Sequence, residues 1–497
     1  MASKKNILLI IADDLGRDLN IYGSKNSPNT PNIDRLAAEG TVFDNAFAST
    51  ASCSGSRSTL FTGLHTHQNG QYGLAQGYKF LHYFSTFEHI DTLPKIFNRL
   101  GYLTGIGAKV HVGPESAYPF IVRDERGARD CQWIASRLSA FIERAQDEDK
   151  AFIYTVGFVD PHRDMTRGGF GNDADYPGIQ KHEYDTKDVN VPDFLSDIPE
   201  VRQEVAEYYQ AIDRMDQGIG MLLDVLEKSG ETDSTLVIFL SDNGPPFVNS
   251  KTTLYDAGIR LPMLIRCPGQ TPGSRNPNLI SYTDILPTLL DWTHHADLPD
   301  PNPAGCKRLG RSLLPALTTS KISPHFNAVY GSHTFHETSS YYPTRYLRTH
   351  EWKYHRNIAW QLPFPLAGDL YSALSFEGMR NQQPPPVKIG GRLLTDYIHR
   401  PPEMLFDIQN DACELRDLSQ VEGFRGVLAE LRRRLEDWQR STADQWLLRD
   451  GVSLAVVYNH LEAGLRVPDR FDFDVRAPGN RESPIVRRED GIPSLRD

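Results

Sequence analysis

The chain has 497 residues, 39% of them hydrophobic and 24% charged, with a formal net charge of −11. That length allows two or three domains and a large core. The acidic balance argues against a general nucleic-acid or anionic-membrane binder, and no stretch is long and apolar enough to span a bilayer.

The opening MASKKNILLIIADDLG pairs a basic start with an apolar run, as a leader peptide does. The run NILLIIA, however, ends directly in Asp13 and Asp14 with no small-residue cleavage site, and a buried strand accounts for it. PNIDRLAAEG, led by Pro31, reads as a helix and TVFDNAFAS as an extended run. TLPKIFNRLGYLTGIGAK reads as helix then strand, KAFIYTVGFVD as a strand, RMDQGIGMLLDVLEKSG as a helix and STLVIFLSD as a strand. RLPMLIRCPG (strand) and YTDILPTLLDW (helix) complete the series. Strands almost continuous in Ile, Leu, Val and Phe, alternating with amphipathic helices, predict an α/β fold whose large, mostly parallel sheet is flanked by helices.

From Asp297, DLPDPNPAGCKRLGRS marks a surface connection. Beyond it NAVYGSH, TRYLRTHEWKYHRN and EMLFDIQND read as shorter, more polar strands, and VLAELRRRLEDWQRS as an amphipathic helix. The expected division is a larger α/β domain over 1–320, a smaller C-terminal α+β domain with an antiparallel sheet over 321–465, and an extended tail over 466–497. The cysteines Cys53, Cys131, Cys267, Cys306 and Cys413 form no CxxC pair, and no Asn begins an N-x-S/T acceptor with a permitted middle residue. Both features favour a reducing compartment, and the expected location is cytoplasmic.

In open α/β sheets functional groups collect at the carboxyl ends of strands. Here those ends carry Asp13-Asp14, Asp242-Asn243-Gly244, Asp160-Pro161-His162-Arg163 and Lys109-Val110-His111. Paired carboxylates at buried strand ends need compensation. Asp13, Asp14, Asp242 and Asn243 offer only oxygen donors, which suits Ca²⁺ or Mg²⁺ rather than zinc. Taken singly, each pair reads better as a helix cap or a turn; together, at equivalent strand ends of one sheet, they favour a metal site. Arg57, Lys109, His111, His162 and Lys251 would bind an anion beside that cation and supply acid–base capacity. Cys53 precedes SRSTLFTG, which could begin a helix; residue chemistry alone leaves it between an activated thiol and an inert turn residue.

Cys53-Ser54-Gly55-Ser56-Arg57, followed by Leu60-Phe61-Thr62-Gly63, resembles the C-x-P-x-R signature of the type I sulfatases, a family of the alkaline-phosphatase superfamily. DDLG, the GxxAKVH segment, DPHR and SDNG follow in that family's order, and HTHQNGQYGL, KVHVGPESAYPF and RMDQGIG resemble its sulfamidase branch. The resemblance runs from Asn6 to about Arg440. It implies that Cys53 is converted to Cα-formylglycine by a formylglycine-generating enzyme, and that the hydrated aldehyde attacks sulfur. It implies one Ca²⁺ on Asp13, Asp14, Asp242, Asn243 and residue 53. Arg57 would stabilise the hydrate, Lys109 and Lys251 the sulfuryl oxygens, His111 would act as base on the second hydroxyl, and His162 with Lys251 would favour the leaving group. The implied substrate is a small sulfated compound, such as a sulfated sugar, and a homodimer is the assembly common among the relatives.

Two positions depart from the pattern: Gly55 replaces the signature proline, and Lys251 stands where the sulfamidase branch has arginine. His333, His336, Glu337 and Arg345 lie in a segment resembling that branch's substrate rim; solvated loop residues are the other reading. Two further functions stay open at this level. One is a phosphomonoester or phosphodiester hydrolase of the same superfamily, and the other a non-catalytic binder of sulfated ligands with Cys53 unmodified.

Overall fold

A computed structural model describes residues 4–447 except 76–82, 127–128, 165–168 and 304, together with 462–464 and a strand pair, Val467–Pro468 with Ile485–Val486. The expected tail therefore lies almost wholly outside the described residues. Nine strands form the main sheet: β1 (Asn6–Ala12), β2 (Thr41–Phe47), β3 (Leu103–Ala108), β4 (Val122–Glu125), β5 (Phe152–Gly157), β6 (Thr235–Ser241), β7 (Arg260–Leu261), β8 (Met263–Arg266) and β9 (Ser274–Ser281). Their order is β4-β3-β5-β1-β6-β8-β2-β7, with β9 also paired to β2. The run from β4 to β6 is parallel throughout, as is β2 with β9, whereas β8 is antiparallel to both its neighbours and β7 antiparallel to β2. RLPMLIRCPG, expected as one strand, is broken into β7 and β8 at Pro262, which has no N–H for a ladder.

The continuous apolar composition of β1 follows from burial on both faces. Leu8, Ile10 and Ala12 pack with residues of helices α1 (Pro31–Glu39), and, further along the chain, Cys131–Asp147 and Pro199–Lys228. Ile7, Leu9 and Ile11 face the opposite core, built with residues of α2 (Cys53–Thr62) and of the helices Leu93–Arg99 and Ile285–Trp292. Helix Cys131–Asp147 adds to the elements expected from sequence, although Ile134, Leu138, Phe141, Ile142 and Ala145 carry a helical spacing and are buried.

The register is what positions the site. Ala12 pairs with Ser241, Ile11 with Gly157, and Ala108 with Gly157, so β3, β5, β1 and β6 end level at one edge. The second sheet is antiparallel: β10 (Ala328–His333), β11 (Thr344–Thr349) and β12 (Trp352–Asn357), then, after the small hairpin β13 (Lys388–Ile389) and β14 (Arg392–Leu393), β15 (Glu403–Asp407). Helix Arg425–Ser441 buries Leu428, Leu431, Leu435 and Trp438 against Leu347, Tyr354 and Leu405 of this sheet. The sheet meets the segment before α2 directly: Ser332 N–H donates to the Ser49 carbonyl at 2.9 Å and the Tyr346 hydroxyl to the Ala48 carbonyl at 2.9 Å.

Candidate active site

Because the four strands end together, their terminal side chains converge. Asp13, Asp14 and Asp242 each bring a carboxylate oxygen within 4.8 Å of the others, all fully buried. Asp14, with φ of 66°, turns the chain in the left-handed region, which Asp tolerates better than most residues. Its N–H donates to Asp242 Oδ1 at 3.2 Å and its Oδ1 accepts from Asn243 Nδ2 at 2.6 Å. Asp13 Oδ1 and Asn243 Oδ1 are buried and have no hydrogen-bond partner. Unsatisfied buried oxygens of this kind are costly unless something binds them.

Three cations answer the three carboxylates. Lys109 Nζ donates to Asp13 Oδ2, Lys251 Nζ to Asp14 Oδ2 at 2.8 Å, and Arg57 Nε to Asp242 Oδ2 at 2.8 Å. Burial alone raises the Asp13 carboxyl, but Lys109, then His162, Arg57 and Lys251, outweigh it and hold it well below the usual carboxylate range. Asp242 moves the other way, up to about 7, because burial and the Asp13 charge outweigh Arg57 and Lys109. The two carboxylates cannot both be comfortable as anions here without further positive charge. A hard divalent cation among Asp13, Asp14, Asp242 and Asn243 would satisfy both the charge and the orphaned oxygens.

The turns that deliver these groups are tightly shaped. Ala108, just before Lys109, and His111, two residues after it, have φ of 64° and 56°, and Thr252, beside Lys251, has φ of 67°. A β-branched residue in that region is strained, and such strain concentrates at functional sites. Gly157 is required by close approach: a Cβ there would lie 2.0 Å from the Lys109 carbonyl and 2.5 Å from Arg57 Nη1. His162 Nδ1 faces the Arg163 carbonyl at 2.6 Å, so that nitrogen carries the proton and Nε2 turns toward Asp14 Oδ2 at 3.8 Å. Burial, with Lys251 beside it, lowers the His162 pKa. The turn is braced from behind by Arg214, whose Nε and Nη2 donate to the Asp160 carboxylate at 2.7 Å each, and by a bidentate Arg163–Glu204 pair.

Cys53 is the first residue of α2 and is 2% exposed. Burial, with Asp13 and Asp242 nearby, pushes its thiol up to about 12 despite Lys109 and Lys251. The loop before it is clamped by histidines: Ser49 Oγ to His65 Nδ1 at 2.6 Å, Thr50 Oγ1 to His333 Nδ1 at 2.9 Å and Ser52 Oγ to His336 Nδ1 at 2.9 Å. Gly55, in place of the signature proline, sits under two threonine methyls; a Cβ there would lie 2.8 Å from Thr50 Cγ2 and 3.1 Å from Thr66 Cγ2.

The structure thus brings together Asp13, Asp14, Asp242, Asn243, Cys53, Arg57, Lys109, His162 and Lys251, while His111 lies two residues beyond Lys109 on the same turn. The structure shows what each of the four rim residues touches within the protein. His333 and His336 are buried, neutral clamps on the Cys53 loop, each pushed down to about 3, first by burial and then by Arg345 and Lys251 respectively. Arg345 has no exposure and its Nε and Nη2 are held by Asp444 at 2.7 and 2.8 Å. Glu337 accepts from the Gly368 N–H at 3.3 Å. That contact leads to a residue the sequence did not single out. Asp369 accepts from Lys251 Nζ at 2.8 Å and, with Asp14 and His162, forms a second close group. Burial raises its carboxyl, but Lys251, His162 and His336 hold it well below the usual range. The segment PFPLAGDLY around it reads as an ordinary loop, and no motif marks it.

A parallel sheet with acidic strand ends, a cysteine opening a helix beside them and fixed lysines around it define the sulfatase class, and residues 5–295 match the sulfatase family. The chain belongs to that family, whose members hydrolyse sulfate esters or sulfamates. It is 36% identical over 479 residues to N-sulphoglucosamine sulphohydrolase of Homo sapiens, covering 91% of this chain and 93% of that protein. It is 27% identical over 456 residues to an ulvan-active sulfatase of Formosa agariphila, covering 89% and 82%. Among solved structures, one determined with its substrate D-glucosamine-2-N,6-O-disulfate shares the fold, with a TM-score of 0.61 and 19% identity over 89% of this chain and 98% of that one.

Proposed function

We propose that the protein removes sulfate from an N-sulfoglucosamine-like sugar, with Cα-formylglycine, made from Cys53 by a formylglycine-generating enzyme, as nucleophile. The observation that carries this reading is Cys53 at the start of α2, among Asp13, Asp242, Lys109 and Lys251. The human relative named for N-sulphoglucosamine and the neighbour bound to a glucosamine disulfate support the substrate class. An unmodified thiol raised to about 12 is un-ionised near neutral pH and makes a poor nucleophile. A hydrated aldehyde at residue 53 supplies an attacking oxygen and a second hydroxyl through which the aldehyde returns as sulfate departs.

Calcium, or magnesium as the other oxygen-preferring ion, would be held by Asp13, Asp14, Asp242 and Asn243 and would polarise the oxygens around sulfur. Lys109 and Lys251 supply fixed positive charge for the sulfuryl oxygens, which stabilises charge developing in the transition state. Arg57 is locked by Asp242 and by the Lys109 carbonyl, accepting from Nη1 at 2.9 Å, and its Nη2 is left for an oxygen on residue 53. His111 would take the proton from the second hydroxyl. His162, with Nδ1 committed to a carbonyl, directs Nε2 toward the leaving atom. For a sulfamate the balance is R–NH–SO₃⁻ plus water giving R–NH₃⁺ and sulfate, so the leaving nitrogen must gain protons as the S–N bond breaks.

We also assign residues 1–320 and 321–465 to the catalytic and smaller domains, and a reducing, cytoplasmic location, which the unpaired state of all five cysteines supports. The test of function is release of inorganic sulfate from N-sulfoglucosamine and 4-nitrophenyl sulfate, with mass spectrometry of the peptide containing residue 53. Aldehyde at that residue and loss of activity in Cys53→Ala are expected. Unchanged sulfate release by Cys53→Ala would overturn the mechanism, and a thiol-only peptide without turnover would point to a binding protein instead.

A further inference from the structure

Asp369 is buried beside the reaction centre yet belongs to neither the cation site nor the set of groups that face the sulfuryl oxygens. It sits in the short helix Gly368–Tyr371, between β12 of the second sheet and the hairpin strand β13, and reaches back to the strand-end cluster. Its Oδ2 accepts from Lys251 Nζ at 2.8 Å and its Oδ1 from the Leu370 N–H at 2.9 Å. Ligand atoms of Asp14, His162 and Asp369 all lie within 4.8 Å of one another. The segment that carries it is fixed at Gly368 and at the start of the next helix, Leu374–Arg380. Glu337 accepts from the Gly368 N–H at 3.3 Å, and Glu204, paired with Arg163, accepts from the N–H groups of Leu374 and Ser375 at 3.1 and 3.0 Å.

A carboxylate offers about four acceptor positions, and two are used here. A carboxylate oxygen of Asp369 lies within 4.8 Å of a ring nitrogen of His162, the residue assigned to the leaving group. The two substrate classes differ at that atom. A sulfamate nitrogen carries a hydrogen and departs as an amine that becomes an ammonium, whereas the bridging oxygen of a sulfate ester carries only lone pairs. An acceptor-only group therefore attracts the first and repels the second.

We propose that Asp369 is a specificity-determining residue that accepts the N–H of a sulfamate leaving group and so favours N-sulfated over O-sulfated substrates. This rests on the sulfatase reading above and adds to it the choice between substrate classes. Asp369 also anchors Lys251, which shares its single ammonium between Asp14 and Asp369. Loss of the anchor alone would weaken turnover of every sulfated compound alike. Loss of an N–H acceptor would weaken sulfamates selectively, since a site built to pair a donor discriminates strongly once that pairing changes.

The experiment compares wild type with Asp369→Asn and Asp369→Glu on N-sulfoglucosamine and on 4-nitrophenyl sulfate. In Asp369→Asn, kcat/KM for the sulfamate is expected to fall roughly 10- to 100-fold more than for the ester. Asp369→Glu, which keeps the charge, should retain part of the sulfamate preference. On wild type alone, glucosamine should inhibit ester hydrolysis more strongly than glucose, a readout that does not depend on a variant folding. Parallel losses on both substrates, or equal inhibition by the two sugars, overturn the inference. Wild type that cleaves the ester but not the sulfamate overturns it too, while leaving the chemistry of residue 53 intact. Wild type that cleaves neither overturns the underlying sulfatase reading.

Discussion

Arg57 Nε donates to Asp242 Oδ2 at 2.8 Å, and the two side chains are 1% and 0% exposed. Removing one partner of such a pair leaves the other charge buried without compensation, which typically costs about 3–5 kcal/mol. Arg57→Ala is therefore expected to lower the unfolding free energy by about that amount, measured by urea denaturation. A loss below about 1 kcal/mol, the worth of an exposed pair, would contradict the account.

Cation binding should depend on pH in a definite sense. In the cation-free protein, burial and the Asp13 charge raise Asp242 from 3.8 to about 7, so between those values the fold retains a proton that the unfolded chain has lost. Its contribution then falls as pH rises through that window. Asp13, whose pKa Lys109 and its neighbours hold down against burial, acts oppositely and in more acidic solution: its stabilisation is present above 3.8 and is lost as pH falls below it. Calcium held at the proposed site would compete with the proton on Asp242, so added calcium should raise the melting temperature more at pH 8 than at pH 5. Equal shifts at both pH values, or a larger one at pH 5, would count against the assigned ligands.

Gly55 and Thr50 are a matched pair. Gly55→Ala places a methyl 2.8 Å from Thr50 Cγ2 and is expected to cost about 1–3 kcal/mol by overpacking. Thr50→Ser removes that methyl and keeps the hydroxyl that meets His333 at 2.9 Å, so the double variant should recover most of the loss. Thermal denaturation of the two singles and the double measures this directly, and strict additivity would show that the contact does not matter.

Ser52→Ala tests the clamp on the Cys53 loop. His336 is held neutral by burial and by Lys251, and Ser52 Oγ meets its Nδ1 at 2.9 Å. Stranding that nitrogen should cost about 1–3 kcal/mol of stability, and the loosened loop should lower kcat with little change in KM. Unchanged kcat would mean that the clamp does not position residue 53.

What could be read from the chain and what could not divide along physical lines. Asp13, Asp14, Asp242, Asn243, Lys109 and His162 stand at the ends of unbroken apolar runs, where polar residues interrupting a buried strand announce themselves. Their convergence depended on the strands being parallel, which the helix–strand alternation implied, and on their ending level, which only the register of the sheet shows. Asp369 and the pairings Ser52–His336, Arg345–Asp444 and Arg163–Glu204 had no such signal. Each joins a loop or a polar strand to a distant element, and neither periodicity nor spacing carries information about which hydroxyl will meet which imidazole. The rim histidines illustrate the point: their place in sequence was informative, but the direction of their side chains, inward onto the Cys53 loop, was a property of the packed fold.

Burial of Cys53 also sets a clock. In the finished fold the thiol is 2% exposed and feels the charges of Asp242 and Lys251, which the chain supplies roughly two hundred positions later. At about 5–20 residues per second of synthesis, that interval lasts about 10–40 s. If residue 53 is matured as proposed, the modifying enzyme must act within that span or on a chain still kept open, and the yield of active protein would follow a race between closure of the sheet and arrival of the modifier.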